Sequence, residues 1–204
     1  MKKIANGILH ITNHSGKMVN IQSISTNNLD NDFCKRLSKC SKLICSKCYA
    51  NKLLTLRPNV ENKMDINSKL LSEALIPYRE LPKFNALYVR FNSFGELINL
   101  IHLKNLIRIC NNNKRTTFTL FTKRNNLIDK ILNKPRNLIL IYSNPIMNKV
   151  LTKLPNNFNK VFNVVDSDYI RDNQTLINCQ KSCFTCLKCY NTRNREKIII
   201  ERLK

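Results

Sequence analysis

Nine cysteines, eight of them in two tight groups, restrict the fold of this chain more than any other feature of its sequence. The first group reads C-x5-C-x4-C-x2-C, and the second reads C-x3-C-x2-C-x2-C. The first consists of Cys34, Cys40, Cys45 and Cys48, and the second of Cys179, Cys183, Cys186 and Cys189. Whatever fold the chain adopts must accommodate two local concentrations of thiols in polar surroundings.

This spacing is typical of metal-binding thiolates. A Cys-x2-Cys pair turns two thiolates back towards one metal, and the backbone amides of the turn stabilise their negative charge. Two such pairs, each with further cysteines close by, indicate metal binding far more strongly than one pair would. The ninth cysteine, Cys110, lies among apolar residues at helical spacing, and we expect it in the core.

Ligand type alone does not fix the metal, because cysteine thiolates hold both structural zinc and [4Fe–4S] clusters. The close spacing of Cys183, Cys186 and Cys189 favours an iron–sulfur cluster, with zinc as the alternative. Cys179, Cys183 and Cys186 also have the spacing by which radical S-adenosylmethionine enzymes hold their cluster. Those enzymes place the motif after the first barrel strand, however, whereas here it lies close to the end of the sequence.

The cellular compartment decides between metal binding and disulfides, the other use for eight cysteines. Asn6, Gly7 and His10 interrupt the basic opening of the chain, so we expect no secretory signal peptide. No stretch approaches about 18 consecutive apolar residues, so we expect no membrane span. These features predict a cytoplasmic protein, in which thiols stay reduced and available to metal.

The chain is strongly basic, with 35 Lys and Arg against 13 Asp and Glu and a net charge of +22. Such charge attracts polyanions, because lysines that approach nucleic-acid phosphates release their counterions. AT-rich codon usage would give a similar composition, since Lys, Asn and Ile are all abundant here. The basic residues are also dispersed and form no recognisable nucleic-acid motif. Nucleic acid is therefore a candidate partner that the charge alone does not establish.

Residues 84–166 alternate between short apolar strands and helices, which predicts a parallel sheet covered on at least one face. The predicted strands span residues 86–91, 116–122, 138–142 and 161–165, and the predicted helices span residues 96–110, 125–132 and 147–154. There are too few units for a closed eightfold barrel. The expected fold is therefore α/β, either a partial (β/α) barrel or an open, mostly parallel sheet.

The flanking segments complete a single predicted domain covering residues 1–204. Residues 1–60 begin with short alternating runs that predict a β-hairpin, and the first cysteine group follows. Residues 62–75 predict a helix, which Pro77 follows closely. Residues 175–204 contain the second cysteine group and a final strand, 197–201, which we expect at the edge of the sheet.

Ligand sites in such folds lie at the carboxyl ends of the strands. Polar segments follow the predicted strands at residues 92–96, 122–124, 143–145 and 166–168. The candidates for a substrate or cofactor pocket are Arg90, Glu96, Thr122 and Lys123. Arg90 and Lys123 would suit a carboxylate or phosphate, and Glu96 a ribose hydroxyl or a general-base role. The alternative is that Arg90 and Glu96 form a structural ion pair on the rim.

These motifs resemble those of the phage gene product 88 family over most of the chain. Residues 45–50 are similar to its cysteine-rich Cys-Tyr-Ala segment, and residues 90–97 to its strand–loop motif R-F-x-x-x-G-D/E. Residues 121–123 resemble the end of the following strand. Residues 179–190 are similar to its closing element, in which clustered cysteines precede an aromatic residue. The chain departs from the family pattern in three ways. Tyr190 stands where tryptophan is frequent, Glu96 stands where aspartate is common, and Cys40 is an additional cysteine.

The resemblance implies a partial α/β barrel similar to that of radical S-adenosylmethionine proteins, with cysteines placed to hold an iron–sulfur centre. It also implies a location in the cytoplasm of an infected bacterial host. The expected metal ligands are Cys34, Cys45, Cys48, Cys179, Cys183, Cys186 and Cys189, with Cys40 as a further candidate. The leading hypothesis is a phage-type iron–sulfur protein of unestablished reaction, with S-adenosylmethionine as a candidate cofactor, and the alternative is a zinc-stabilised, basic nucleic-acid-binding protein.

Overall fold

The computed structural model describes residues 8–193 and 196–203, so the basic opening of the chain lies outside the described residues. Seven strands form a sheet: β1 (Ile11–Asn13), β2 (Gln22–Ile24), β3 (Tyr88–Phe91), β4 (Thr117–Thr122), β5 (Leu138–Ser143), β6 (Lys160–Val165) and β7 (Ile198–Arg202). Their order in space is their order in sequence. β1 and β2 are antiparallel, and all later neighbours are parallel. Within the described residues β1 and β7 are not paired with each other, so the sheet is open.

The helices that cover the sheet lie in the connections between the strands. They are α1 (Asp32–Ser38), α2 (Tyr49–Leu56), α3 (Pro58–Ser72), α4 (Leu100–Asn112), α5 (Asn125–Ile128), α6 (Ser167–Asp172) and α7 (Cys183–Cys186). The main core lies on one face of the sheet, where Leu103, Leu106 and Ile109 of α4 join Phe91 and Phe118 of the strands. Cys110 is fully buried in the same cluster, which confirms its predicted place in the core.

The opposite face of the sheet has a smaller apolar cluster. Phe121 of β4 and Ile139 and Ile141 of β5 form it, and Phe162 and Cys189 pack against it. Strands buried on both faces carry uncharged side chains at nearly every position, which explains the continuous apolar run of β5 and the threonine, leucine and phenylalanine residues of β4. The C-terminal segment, which includes the four-residue helix α7, thus covers the face of the sheet opposite the main core. We call it the helix-free face because the long helix α4 packs on the other face.

Most of the predicted strands are confirmed with small shifts in their ends. The predicted hairpin appears as the antiparallel pair β1 and β2. The predicted final strand appears as β7, which pairs parallel with β6 at the edge of the sheet. Helix α4 begins at Leu100, later than expected, because the side chain of Asn99 accepts a hydrogen bond from the His102 amide at 2.9 Å and caps the helix there.

The helix predicted for residues 147–154 is wrong. Asn148 has a left-handed backbone, with φ of +58°, and its side-chain amide donates to Asp166 at 2.7 Å. The amide of Leu151 donates to the buried Asn163 side chain at 3.0 Å instead of to a helical carbonyl. Tertiary hydrogen bonds from β6 and the segment after it therefore replace the local ones that the apolar spacing had suggested. Among the described residues, no helix has the length and apolar character needed to cross a membrane.

Candidate metal centres

The first cysteine group lies at the carboxyl-end rim of the sheet, in the connection after β2, the first strand of the parallel run. Cys34 is on α1, and Cys45 lies in the 3-10 turn Ile44–Lys47, which leads directly to Cys48. The side chain of Asn31 caps α1 by accepting from the Cys34 amide at 3.4 Å. We call Cys34, Cys45 and Cys48 the rim group.

Hydrogen bonds hold the rim group over the ends of the strands. The side-chain amide of Asn31 donates to the carbonyl oxygen of Glu96, after β3, at 3.1 Å. The amide of Ile44 donates to the carbonyl of Pro145, after β5, at 2.8 Å. Cys40 is exposed on the loop between α1 and the turn. The segment that carries the rim group is therefore attached to the loops in which a ligand site was predicted.

Charged side chains lie close to the rim group. Burial raises the pKa of the Cys34 thiol, and the Glu96 carboxylate raises it further while the Lys123 ammonium opposes both effects. Burial also raises the pKa of Cys45, again with Lys123 opposing it. The thiol of Cys48 contributes to the raised pKa of both Cys34 and Cys45. The three thiols are thus near one another and share one ammonium group.

Three of the predicted pocket residues form a clamp between the ends of β3 and β4. The buried Glu96 carboxylate accepts from the Leu97 amide at 2.8 Å and the Thr122 hydroxyl at 2.5 Å through Oε1. Its Oε2 accepts from the Lys123 amide at 2.8 Å. Because these donors already satisfy the carboxylate, Glu96 serves first to fix the rim and to position Lys123 beside the cysteines.

Gly95 makes this clamp sterically possible. Its φ of +80° is strained for any residue with a side chain. A Cβ atom at this position would also lie 2.3 Å from the Thr26 hydroxyl and 2.4 Å from the Thr26 carbonyl oxygen. The loop after β3 can therefore approach the loop after β2 only with glycine at this position.

The second cysteine group lies on the helix-free face of the sheet. Cys183 and Cys186 are the ends of α7, Cys179 precedes it, and Cys189 lies in the 3-10 turn Lys188–Tyr190. Between them, Leu187 takes a left-handed backbone with φ of +48°, and its amide donates to the Cys183 carbonyl at 2.9 Å. The turn reverses the chain so that all four cysteines line one cavity. We call these four residues the face group.

Apolar and aromatic side chains surround the face group. Cys189 packs against the cluster on the helix-free face, which includes Phe121. The ring of Tyr190 lies edge-on to that of Tyr88, with centroids 5.3 Å apart. Burial raises the pKa of Cys189 to about 12, the Arg90 guanidinium opposes this, and the neighbouring cysteine thiols add to it.

Lys17 connects the face group to the first part of the chain. Its Nζ donates to Cys179 Sγ at 3.2 Å and to the Cys179 carbonyl oxygen at 3.0 Å. The same ammonium forms an ion pair with Glu201 of β7 at 2.5 Å. Hydrogen bonds to a cysteine ligand are a common means of tuning a thiolate–metal centre. Nothing in the spacing of the sequence points to Lys17, since its partners are more than 160 residues away.

The donor chemistry of both groups fits a thiolate-bound metal, and the two groups differ in ligand number. Within the described residues, no three His, Cys, Asp or Glu side chains lie close enough together to hold one metal ion. A single ion demands the tightest convergence of sulfurs, whereas in an iron–sulfur cluster each thiolate binds a different iron atom. The four cysteines of the face group border one cavity.

The fourth predicted pocket residue, Arg90, lies away from the other three. Its guanidinium is stacked on the ring of Phe121, 3.9 Å from the centroid, on the helix-free face. In the part of the chain that the structure describes, Arg90 and Glu96 form no ion pair, so the alternative interpretation of these two residues is wrong. Arg90 instead lies near the face group, where its charge opposes the raised pKa of Cys183.

An open, mostly parallel sheet with thiols concentrated at its rim and on its helix-free face defines a cysteine-rich α/β protein. The family model of gene product 88 matches residues 3–198. The chain therefore belongs to the gene product 88 family, as the resemblance of its motifs implied. No curated protein and no solved structure matches it.

Proposed function

We propose that this protein binds two iron–sulfur clusters, one held by the rim group and one by the face group. The observation that carries the proposal is the division of seven cysteines into a set of three and a set of four at separate places on the sheet. Cysteine thiolates are the usual ligands of such clusters. Four thiolates complete the coordination of a [4Fe–4S] cluster, whereas three leave one iron free to bind something else.

The face group suits a closed centre. Its four cysteines border one cavity, and Cys189 packs against the apolar cluster on the sheet. Metal binding there would contribute folding energy, because it would fasten residues 179–190 to the sheet. The role of this centre is therefore structural or electron-transferring.

The rim group suits an open centre. It follows the first parallel strand and lies where parallel α/β folds bind ligands, at the carboxyl ends of the strands. Cys34, Cys45 and Cys48 supply three thiolates, and Lys123 offers a cation to a carboxylate-bearing ligand. S-adenosylmethionine, which carries an amino-acid carboxylate, is the ligand that we propose for the open iron. The reduced thiols suit the cytoplasm of the infected host.

The test is anaerobic purification followed by an absorption spectrum and assays for iron, zinc and acid-labile sulfide. We expect equal amounts of iron and sulfide, about eight of each per chain if both centres are [4Fe–4S], with broad brown visible absorption. S-adenosylmethionine should then perturb the electron paramagnetic resonance spectrum of the reduced protein. A colourless protein with stoichiometric zinc and no sulfide would refute the proposal.

The net charge of +22 favours a second candidate function, a zinc-stabilised protein that binds DNA or RNA. It predicts stoichiometric zinc and an affinity for nucleic acid that falls steeply with salt, because several phosphate contacts each release counterions. Fluorescence anisotropy with a labelled oligonucleotide over a series of salt concentrations would test it. Binding that is absent at low salt would exclude this function.

A further inference from the structure

Arg90 has hydrogen-bonding capacity that the fold does not use. Its Nη1 contacts only a weak acceptor, Met18 Sδ, at 3.7 Å, and its buried Nε has no hydrogen-bond partner. Among the described residues, no carboxylate forms an ion pair with Arg90. A guanidinium carries five donors in a rigid fork, so this group is fixed by stacking on Phe121 and keeps donors that no carboxylate uses.

A row of hydrogen-bonded, buried serine hydroxyl groups begins beside Arg90. Ser23 is the direct neighbour of Arg90 in the pairing of β2 with β3. The Ser23 hydroxyl lies 2.7 Å from His14 Nε2 and 2.9 Å from the Ser93 hydroxyl, which lies 2.7 Å from the Ser25 hydroxyl. The three serines come from the ends of two neighbouring strands, which explains why no sequence motif revealed them.

One consistent donor direction along these hydroxyl groups would make the His14 ring neutral. The Phe94 amide, which can only donate, is bonded to the Ser25 hydroxyl at 3.2 Å. If each hydroxyl passes its proton along the row, Ser25 donates to Ser93, Ser93 to Ser23, and Ser23 to His14 Nε2. Nε2 is then an acceptor, so the imidazole is neutral and carries its proton on Nδ1. Burial and the charge of Arg90 both lower the pKa of His14, which favours the same neutral form.

We propose that Arg90 and His14 form a binding site for a small oxyanion, a carboxylate or a phosphate group, on the helix-free face of the sheet. Arg90 supplies a planar fork that matches either anion, and neutral His14 supplies a further N–H donor. The site requires no metal in either cysteine group, so an absence of the proposed clusters would leave it intact. The site also lies close to the rim group, because the hydroxyl of Tyr49, the residue after Cys48, donates to the Ser93 carbonyl at 2.9 Å.

Proton NMR of the histidine rings tests the site with inorganic phosphate and with acetate as probes. The chain has three histidines. His102 is an internal reference because it is fully buried on α4, where the probes cannot reach it. We expect a saturable shift of the His14 signals with at least one probe and none for His102. A larger effect of phosphate than of acetate would identify a phosphate site, and the reverse a carboxylate site.

Arg90→Met should weaken binding by at least about tenfold, since it removes the charged fork. The matched control is Arg108→Met, which also removes an arginine stacked on an aromatic ring, that of Tyr78, but one that donates to the Ile76 carbonyl instead. We expect binding by this variant to be unchanged. If Arg90→Met does not fold, Arg90→Lys provides the comparison, with weaker binding expected because an ammonium cannot bind two oxygens in one plane.

Ser23→Ala should alter the tautomer of His14, observed in the ring ¹⁵N shifts, and weaken anion binding. The proposal is overturned if neither probe causes a saturable His14 shift, or if the shift survives Arg90→Met unchanged. It is equally overturned if the anion binds metal-free protein but not metal-loaded protein. That result would make Arg90 a counter-ion of the face-group thiolates.

Discussion

The rim group and the face group both consist of cysteines, but their surroundings contrast. The rim group has three cysteines beside the charged Glu96 and Lys123, at the edge where the loops meet. The face group has four cysteines on an apolar surface, closed by a tight turn at Leu187. The difference shows that the number of cysteines and the polarity of their surroundings vary together. On the proposed function, the set of four would hold a metal that stabilises the fold, and the set of three would leave a position that a ligand can approach.

The largest effect should come from Cys189→Ser. It removes a ligand of the face group and places a hydroxyl in the apolar cluster on the sheet, so we expect a loss of about 3–5 kcal/mol in the free energy of unfolding. Iron and sulfide should fall to the amount held by the rim group alone. Thermal unfolding and metal assays measure both effects. The exposed Cys40 offers a matched control, and Cys40→Ser should change neither. Equal effects of the two substitutions would contradict the expected difference between the face-group cysteine and the exposed Cys40.

Cys45→Ser should have a smaller effect on stability, a loss of about 2 kcal/mol, because Cys45 lies in a 3-10 turn and not in a packed apolar cluster. We expect iron to fall by about half, with the face-group cluster retained, and S-adenosylmethionine binding to disappear. Iron assays and calorimetry provide the readouts. Complete loss of iron would mean that the seven cysteines share one centre.

Glu96→Gln tests whether the rim clamp is structural. The amide cannot accept from all three donors, so we expect a loss of about 2 kcal/mol in stability, since hydrogen bonds to a charged group are replaced and one donor is left unmatched. Iron in the face group should not change. Chemical denaturation and iron assays measure this. If stability were intact but ligand binding lost, the carboxylate would instead belong to a ligand pocket.

Lys17→Met should have the smallest effect, about 1 kcal/mol, because it removes one partly exposed ion pair with Glu201. It also removes the hydrogen bond to Cys179 Sγ, so the face group should release its metal to a chelator faster while the rim group does not. Lys35→Met, which removes the exposed pair with Asp30 on the rim side, is the control. Equal acceleration of both centres would show that Lys17 has no specific connection to the face group.

Much of the architecture could be read from local patterns. β-Branched and aromatic residues identified β4, and a continuous apolar run identified β5, because a strand covered on both faces has no charged side. The false helix at residues 147–154 shows the limit of such patterns, since its backbone bonds to Asn163 of a distant strand. Glu96, Thr122 and Lys123 were selected as polar residues at strand ends, and the structure brings these three together. Arg90 was selected with them, but its side chain projects from the face of the sheet near the other cysteine group.

The sequence by itself determined the family, the α/β class and the concentration of thiols, because these depend on residue type and short spacing. Only the tertiary structure decided that the cysteines divide between the rim and the helix-free face, with Cys40 left exposed on a loop. It also decided the partners of Lys17, Arg90 and His14, which come from different strands or from opposite ends of the chain. The physical reason is that spacing along the chain fixes neighbours within a turn, whereas strand order and register fix which distant side chains meet.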